Sequence, residues 1–140
     1  MSKSLHLTIA TPLGCIYDGQ VDQVTATTES GEITVLSNHV PLVTTLKIGQ
    51  VMVKKEGREI YHAIDGGVME VRKNNEVVIL SNRAESATDI DIERAEKAIQ
   101  RAEMVMSEKY DSKEKEYIQL EQNIAKQLNR VKLFKKGQRK

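Results

Sequence analysis

The chain has 140 residues, of which 39% are hydrophobic and only 4% aromatic, and its formal net charge is +1. This length corresponds to one ordinary domain, or to a small domain with an appendage. The sequence contains no run near the roughly 20 apolar residues that a membrane-spanning helix needs, so we expect no direct insertion into a membrane. It shows no secretory signal and has Cys15 as its one cysteine, so we expect a cytosolic compartment and no intrachain disulfide.

The first part of the chain, residues 1–84, consists of short segments rich in Val, Ile and Thr. Apolar and polar residues alternate over residues 5–9, which is the period of a half-buried strand. Further strands are predicted at residues 15–17, 21–27, 32–36, 43–46, 50–54, 59–63, 68–71 and 77–80. Turn signals between them include Gly49 and the pair Gly66 and Gly67. Many short strands without intervening helices predict an antiparallel β-sandwich with an aliphatic core.

The histidines and the cysteine of this part give weak signals for chemistry. His6, His39 and His62 have no Cys, Asp or Glu at metal-ligand spacing, and no Ser or Cys motif beside them supplies a nucleophile. Cys15 is interpreted as a small core or strand residue. We therefore predict no catalytic site and no metal site, and we predict that the chain is not an enzyme.

The second part, residues 85–140, has a helical pattern, and neither Gly nor Pro occurs between residues 68 and 136. Thr88 and Asp91 are typical of a capping box, with Thr88 as the N-cap of a first helix. The apolar face of that helix is predicted at Ile92, Ala95, Ile99, Ala102 and Met106. The pattern breaks at residues 107–112. It resumes on a second helix at Tyr117, Leu120, Ile124, Leu128 and Val131. This arrangement predicts an antiparallel two-helix hairpin.

Basic residues accumulate at the end of the second helix, and no acidic residue follows Glu121. The cluster comprises Arg130, Lys132, Lys135, Lys136, Arg139 and Lys140. It suits an acidic partner, or else it is a solvated helix end whose cations complement the helix dipole. An alternative function is therefore a basic-tailed nucleic-acid-binding or adaptor module, although only Phe134 lies beside the cluster for base stacking. A third hypothesis, a hydrolase using Asp89 and Asp91, lacks a nucleophile.

Three segments together carry a resemblance to a known family. Residues 31–42 read GEITVLSNHVPL and are followed by Leu46 and Gly49, residues 66–71 read GGVMEV, and residues 90–95 read IDIERA. Each segment alone is moderately specific. In this order, on a chain that passes from strands to a helical hairpin, they resemble the epsilon subunits of bacterial F-type ATP synthases along nearly the whole chain.

The resemblance implies a fold and a set of partners. Residues 1–84 would form a sandwich that binds the gamma subunit and rests on the c-ring, at the cytoplasmic face of the cell membrane and without a nucleic-acid partner. Residues 85–140 would form a regulatory hairpin that blocks ATP hydrolysis when it extends among the alpha and beta subunits. The implied residues for contact with gamma and the c-ring are Glu32 and His39. The implied residues for inhibition are Arg130, Lys132, Lys135 and Lys136.

The resemblance also implies that ATP binds the hairpin as a regulatory ligand, with no cofactor required. The matching residues are Glu85, Ile90, Asp91, Arg94, Ala95 and Arg101. Residues three and seven apart share one helix face, so Asp91, Arg94 and Arg101 can line one site, and two guanidinium groups suit phosphates. Further arginines of the family's second helix are replaced here by Ile124 and Leu128. The alternative interpretation is that Asp91 caps the helix while the two arginines form surface ion pairs.

Overall fold

The computed structural model describes the backbone of residues 4–109 and 115–138 and divides the chain into two compact units. The first unit, Met1–Ala87, contains the strands, and the second unit, Thr88–Lys140, contains the helices. Composition predicts a boundary between residues 84 and 85. The structure places it between 87 and 88, because a last short strand at Ala84–Ser86 pairs with the sheet of the first unit.

The described part of the first unit contains eight strands. They are β1 (Leu5–Thr11), β2 (Gly14–Val21), β3 (Gln23–Thr28), β4 (Gly31–Val35), β5 (Leu42–Lys55), β6 (Arg58–Arg72), β7 (Glu76–Leu80) and β8 (Ala84–Ser86). The long strands β5 and β6 each replace two predicted strands, because Gly49, Gly66 and Gly67 lie within strands and not in turns. The sequence did not predict β8.

The strands are ordered β2-β1-β7-β6-β5-β3-β4, and β8 also pairs with β6. All these neighbours are antiparallel except β1 and β7, which run parallel with Leu7 opposite Val77. The prediction of an antiparallel sheet therefore needs one correction. A parallel pair requires a long connection between its strands, and here β2 to β6 supply that connection without a crossover helix.

The β5–β6 hairpin is the longest strand pair of the first unit. It extends from Leu42 opposite Val71, at its open end, to Lys55 opposite Arg58, beside its turn. Residues 68–72 of β6 pair with β7, whereas residues 62–64 pair with β8. Gly66 and Gly67 lie between these two stretches, and both have a positive φ. A Cβ atom on Gly67 would overlap the carbonyl oxygen of Leu80, so only glycine lets β7 come this close.

The core of the first unit is aliphatic, as the composition predicts. In β1 the inward side chains of Leu5, Leu7 and Ile9 are fully buried, and the polar residues between them face outward. Facing strands contribute Val24, Val35, Val51, Val53, Ile64, Met69, Val71, Val77 and Ile79 to the same cluster. Burial of these side chains stabilises the unit, since each buried aliphatic side chain contributes about 1.5–3 kcal/mol.

The second unit is a hairpin of two helices, α1 (Ile92–Lys109) and α2 (Lys115–Gln138). The two helices pack against each other. Of the predicted break at residues 107–112, residues 107–109 still belong to α1, and residues 110–112 lie outside the described residues. The fold is therefore the predicted one, a β-sandwich unit followed by a two-helix hairpin.

The predicted apolar face is correct for α1 and partly wrong for α2. In α1, Ala95 is fully buried and the other four predicted residues are half-buried. In α2, Leu128 is 52% exposed, whereas Leu133, which was not predicted, is buried. Steps of four residues drift by about 40° around a helix, and this drift carries Leu128 out of the buried arc. The side chain of Tyr117 lies outside the described residues.

Candidate functional site

The segment that leads into α1 is organised around Asp91. Residues Ala87–Asp89 form a 3-10 turn, Ile90 is buried, and α1 begins at Ile92. The Asp91 Oδ1 accepts a hydrogen bond from the backbone N–H of Arg94 at 3.1 Å. Asp91 is therefore the N-cap. The predicted capping box, with Thr88 as the N-cap, is wrong by three residues. Thr88 lies in the 3-10 turn, and the α-helix begins only at Ile92.

The two arginines of the predicted nucleotide site are exposed on α1. Arg94 and Arg101 are seven residues apart and so lie on one face, while Ala95 is fully buried. The Nε of Arg101 donates to the carbonyl oxygen of Lys97 at 3.4 Å. Within residues 4–109 and 115–138, no carboxylate forms a described ion pair with either arginine. Of the alternative interpretation, the structure contains the helix cap at Asp91, and the side chains that it describes include no ion pair to Arg94 or Arg101.

Glu85 belongs to a different unit of the chain from the other predicted nucleotide-binding residues. It belongs to β8 of the first unit, where its neighbour across the ladder is Ala63. Its Oε1 lies 3.9 Å from the Nη2 of Arg83. The other five residues, Ile90, Asp91, Arg94, Ala95 and Arg101, belong to the second unit.

The predicted inhibitory residues on α2 differ in exposure. Lys132 and Lys135 are exposed, and Lys136 is half-buried. Arg130 is only 6% exposed, and its Nη1 donates to the Oε1 of Gln127 at 2.8 Å. In this arrangement Lys132 and Lys135 are accessible to a partner, whereas Arg130 is buried and is not. Arg139 and Lys140 lie outside the described residues.

His39 lies in the connection between β4 and β5, residues 36–41, which we call the His39 loop. The backbone N–H of His39 donates to the carbonyl oxygen of Leu36 at 3.1 Å. The Nδ1 of His39 lies 2.7 Å from the carbonyl oxygen of Val40. A carbonyl oxygen only accepts hydrogen bonds, so this contact selects the tautomer with the proton on Nδ1. The loop therefore holds the imidazole in a defined orientation.

The structure does not bring Glu32 and His39 into one small site. Glu32 is exposed near the start of β4, opposite Thr27, whereas the His39 loop follows the far end of that strand. From Glu32 to Val35 the strand rises by roughly 10 Å. The two residues can therefore belong to a broad contact surface or to contacts with two partners.

Several large apolar side chains are exposed on the first unit, and the sequence did not single them out. They are Leu13, Leu36, Val40, Val43, Val68 and Leu80. Val68 lies directly opposite Leu80 in the β6–β7 ladder, on the outward side of the sheet. Contiguous exposed apolar surface is typical of an interaction surface. The sequence does contain a feature that could have identified them. In an alternating strand, an apolar residue occupies a position that faces outward, as at Val43 and Leu80.

The other residues considered for catalysis or metal binding, His6, His62 and Cys15, each have their own surroundings. The Nε2 of His6 lies 2.6 Å from the Oδ1 of Asp18, and His62 is buried with its ring centroid 5.8 Å from that of Tyr17. Cys15 was interpreted as a core or strand residue; it lies in strand β2 but is exposed, so it is a strand residue and not a core residue. In the described ranges, no three His, Cys, Asp or Glu side chains form a group able to hold a metal ion. Neither described helix has the length and apolarity to cross a membrane.

Comparison with protein-family models assigns both units to one family. Residues 4–87 match the β-sandwich domain of the ATP synthase delta/epsilon chain, and residues 88–135 match its long α-helix domain. An ATP synthase epsilon chain of Caldanaerobacter subterraneus is 39% identical over 99% of both chains. One from Geobacter sulfurreducens is 36% identical over the full length of both.

Solved structures agree with this assignment. A chain of the Euglena gracilis mitochondrial ATP synthase, in a structure with OSCP, F1 and the c-ring, aligns with a TM-score of 0.77 and 25% identity, covering 92% of this chain and 80% of that one. A chain of the Tetrahymena thermophila mitochondrial ATP synthase shares the fold, with a TM-score of 0.60, 14% identity and 95% of both chains covered. The chain therefore belongs to the ATP synthase delta/epsilon family and is an epsilon subunit of an F-type ATP synthase.

Proposed function

We propose that this subunit binds the gamma subunit and the c-ring through its first unit and limits ATP hydrolysis through its helical hairpin. The observation that carries the proposal is the division of one chain into two separately compact units, a sandwich and a hairpin. Such a division permits one unit to stay attached while the other changes its position. The subunit would then act peripherally at the cytoplasmic face of the cell membrane and would have no catalytic role of its own.

The composition of the hairpin supports its mobility. Ordering a residue costs about 1–2 kcal/mol, and a buried aliphatic side chain returns about 1.5–3 kcal/mol. Of the large apolar residues of the hairpin, Met104, Val105, Ile118 and Leu128 are substantially exposed. A hairpin with few deeply buried residues gains little stability from its own core. Its position is therefore open to control by a partner such as the alpha and beta subunits.

Removing the hairpin tests this proposal. A chain ending at Ala87 keeps every strand of the first unit and lacks both helices. We expect that the ATP synthase reconstituted with this truncated subunit hydrolyses ATP faster than the complex with the full chain. The rate of phosphate release measures the difference. A pull-down with the gamma subunit serves as the control that the truncated subunit still assembles.

Equal hydrolysis rates, with assembly intact, would refute an inhibitory hairpin. Substitution of the exposed Lys132 and Lys135 by Ala refines the test, because both cations are accessible on α2. The double variant should relieve inhibition in part. Lys126 is not a suitable control on α2, because its side chain is half-buried. The double substitution of the exposed Lys54 and Lys55 of β5 by Ala provides the charge-matched control in the first unit.

We propose further that ATP binds the exposed face of α1 that carries Asp91, Arg94 and Arg101, with Glu85, Ile90 and Ala95 as the remaining family positions. Two exposed guanidinium groups on one face of α1, with Arg94 in the first turn and Arg101 near the middle of the helix, support this proposal, since they suit phosphate oxygens. ATP at about 100 times its dissociation constant would stabilise the state that binds it by about 2.7 kcal/mol. Such a shift is large enough to change the populations of two nearly balanced states.

Isothermal titration of the full chain with ATP tests the nucleotide proposal. We expect measurable binding that is lost in Arg94→Ala and weakened in Arg101→Ala, while Lys47→Ala, which removes the same charge from the first unit, binds as the native chain does. Absence of heat for the native chain at millimolar ATP would contradict the proposal. The purified subunit should release no phosphate from ATP during the titration.

A further inference from the structure

The turn between β6 and β7, residues 73–75, is hydrogen-bonded to the His39 loop. The side-chain Oδ1 of Asn75 accepts a hydrogen bond from the backbone N–H of Asn38 at 2.7 Å. The backbone carbonyl of Asn75 accepts a second bond, from the N–H of His6 at 2.8 Å. One residue thus connects the β6–β7 turn, the start of β1 and the loop that presents His39.

The conformation of Asn75 explains why an asparagine suits this position. Its φ is +59°, in the left-handed region that asparagine adopts more readily than other residues with a side chain. Asn38, its partner across the contact, also has a positive φ, at +68°. A loop in such a conformation keeps its geometry only where the surroundings hold it. Asn75 is half-buried, whereas its neighbour Asn74, with φ +64°, is exposed.

We propose that Asn75 is a positioning residue, which fixes the His39 loop in the geometry that binds the rotor formed by the gamma subunit and the c-ring. The inference depends on the proposed function, in which the His39 loop belongs to the contact surface. The bond to the N–H of Asn38 lies one residue before His39, and the imidazole is itself tied to the next carbonyl, that of Val40. Loss of the Asn75 acceptor therefore loosens the segment that carries the imidazole without changing any side chain that meets the partner.

The test compares full-length variants in binding to the immobilised gamma subunit–c-ring complex. Asn75→Gly keeps the left-handed backbone and the carbonyl that bonds His6 but removes the side-chain acceptor. We expect its dissociation constant to rise roughly two- to tenfold, the range expected for one hydrogen bond. Asn74→Gly, the matched control in the same turn, should bind like the native chain. Asn75→Asp retains an acceptor oxygen and should restore most of the affinity.

Amide hydrogen exchange gives a readout that does not depend on the partner. The Asn38 N–H should exchange faster in Asn75→Gly, by a similar factor, while the amides of β6 and the urea midpoint stay those of Asn74→Gly. A merely structural role would instead shift the midpoint of unfolding. Native affinity in Asn75→Gly, or equal weakening in both glycine variants, would overturn the inference.

A His39→Ala variant separates this inference from the proposed function. Native binding by His39→Ala would remove that side chain from the proposed contact surface. Weakened binding by Asn75→Gly in the same experiment would still support the positioning of the loop by Asn75. Weakened binding by His39→Ala together with native binding by Asn75→Gly would support the contact and refute the positioning role.

Discussion

At Gly67 the absence of a side chain decides whether two strands can approach each other. Its φ is +141°, and a Cβ atom there would overlap the carbonyl oxygen of Leu80. We predict that Gly67→Ala destabilises the first unit by about 2–4 kcal/mol, because backbone strain adds to overpacking. Urea unfolding followed by circular dichroism measures this loss.

Gly57→Ala is the control for that prediction. Gly57 also has a positive φ, at +79°, but no atom lies within 4 Å of a Cβ placed there. The control therefore carries the conformational cost alone, about 1 kcal/mol. If both variants lose the same stability, the close approach of β7 to Gly67 does not contribute to the effect.

Single residues also mark the limit of prediction from sequence. From the sequence, Asp91 was either the third residue after a Thr88 cap or the cap itself. The structure shows the second, since Thr88 lies in a 3-10 turn that leaves no pattern in the apolar residues. The bond between Asn75 and Asn38 joins residues 37 positions apart. Such a contact is set by the register of strands, and no local spacing reveals it. That Arg94 and Arg101 share one face of α1, in contrast, follows from their seven-residue spacing, and the exposure of that face follows from their charge.

On α2, two leucines of the same hydrophobicity differ in burial, and we expect only the buried one to contribute to stability. Leu133 is 1% exposed, and Leu128 is 52% exposed. We predict that Leu133→Ala destabilises the second unit by about 2–4 kcal/mol, the usual cost of emptying a buried leucine site. Leu128→Ala removes the same atoms and should cost about 0.5 kcal/mol or less, as is usual at the surface. Hydrogen exchange of α2 amides in the full chain measures both effects.

Equal protection of α2 amides from hydrogen exchange in the two leucine variants would contradict the buried arc assigned to this helix.

At the level of elements, periodicity predicts some features of this fold and not others. Strands and helices were predictable in type, because alternation and three-four spacing are local. The fusion of predicted strands into β5 and β6 was not, because Gly49 and Gly66 are turn residues in most contexts and only tertiary packing places them inside strands.

The whole molecule combines one unit with a large aliphatic core and one with little core of its own. We predict that a fragment of residues 1–87 unfolds cooperatively in urea, because it retains all eight strands and the buried cluster from Leu5 to Ile79. A fragment of residues 88–140 should be largely unfolded in water, since its two helices, although 18 and 24 residues long, leave several large apolar side chains exposed and gain little from packing. Circular dichroism of the two fragments checks both expectations.

A helical spectrum with a cooperative transition for residues 88–140 alone would contradict the weak core assigned to the hairpin. The opposite result for residues 1–87, a gradual loss of signal, would mean that the sandwich depends on the helices.

The division of the chain was itself predictable from composition to within a few residues. The last strand, Ala84–Ser86, escaped prediction because three residues are too few to show a period.

The long β5–β6 ladder has a mechanical consequence for the first unit. Its paired backbones extend from the tip at Lys55 and Arg58 to the far end at Leu42 and Val71. The ladder has a gap in its pairing at Lys47 and Gly66, where Gly66 has a positive φ, so a load applied at one end is carried by two rows of hydrogen bonds with a glycine joint between them. We expect each paired stretch to resist bending, and any flexing of the ribbon under load to concentrate at Gly66.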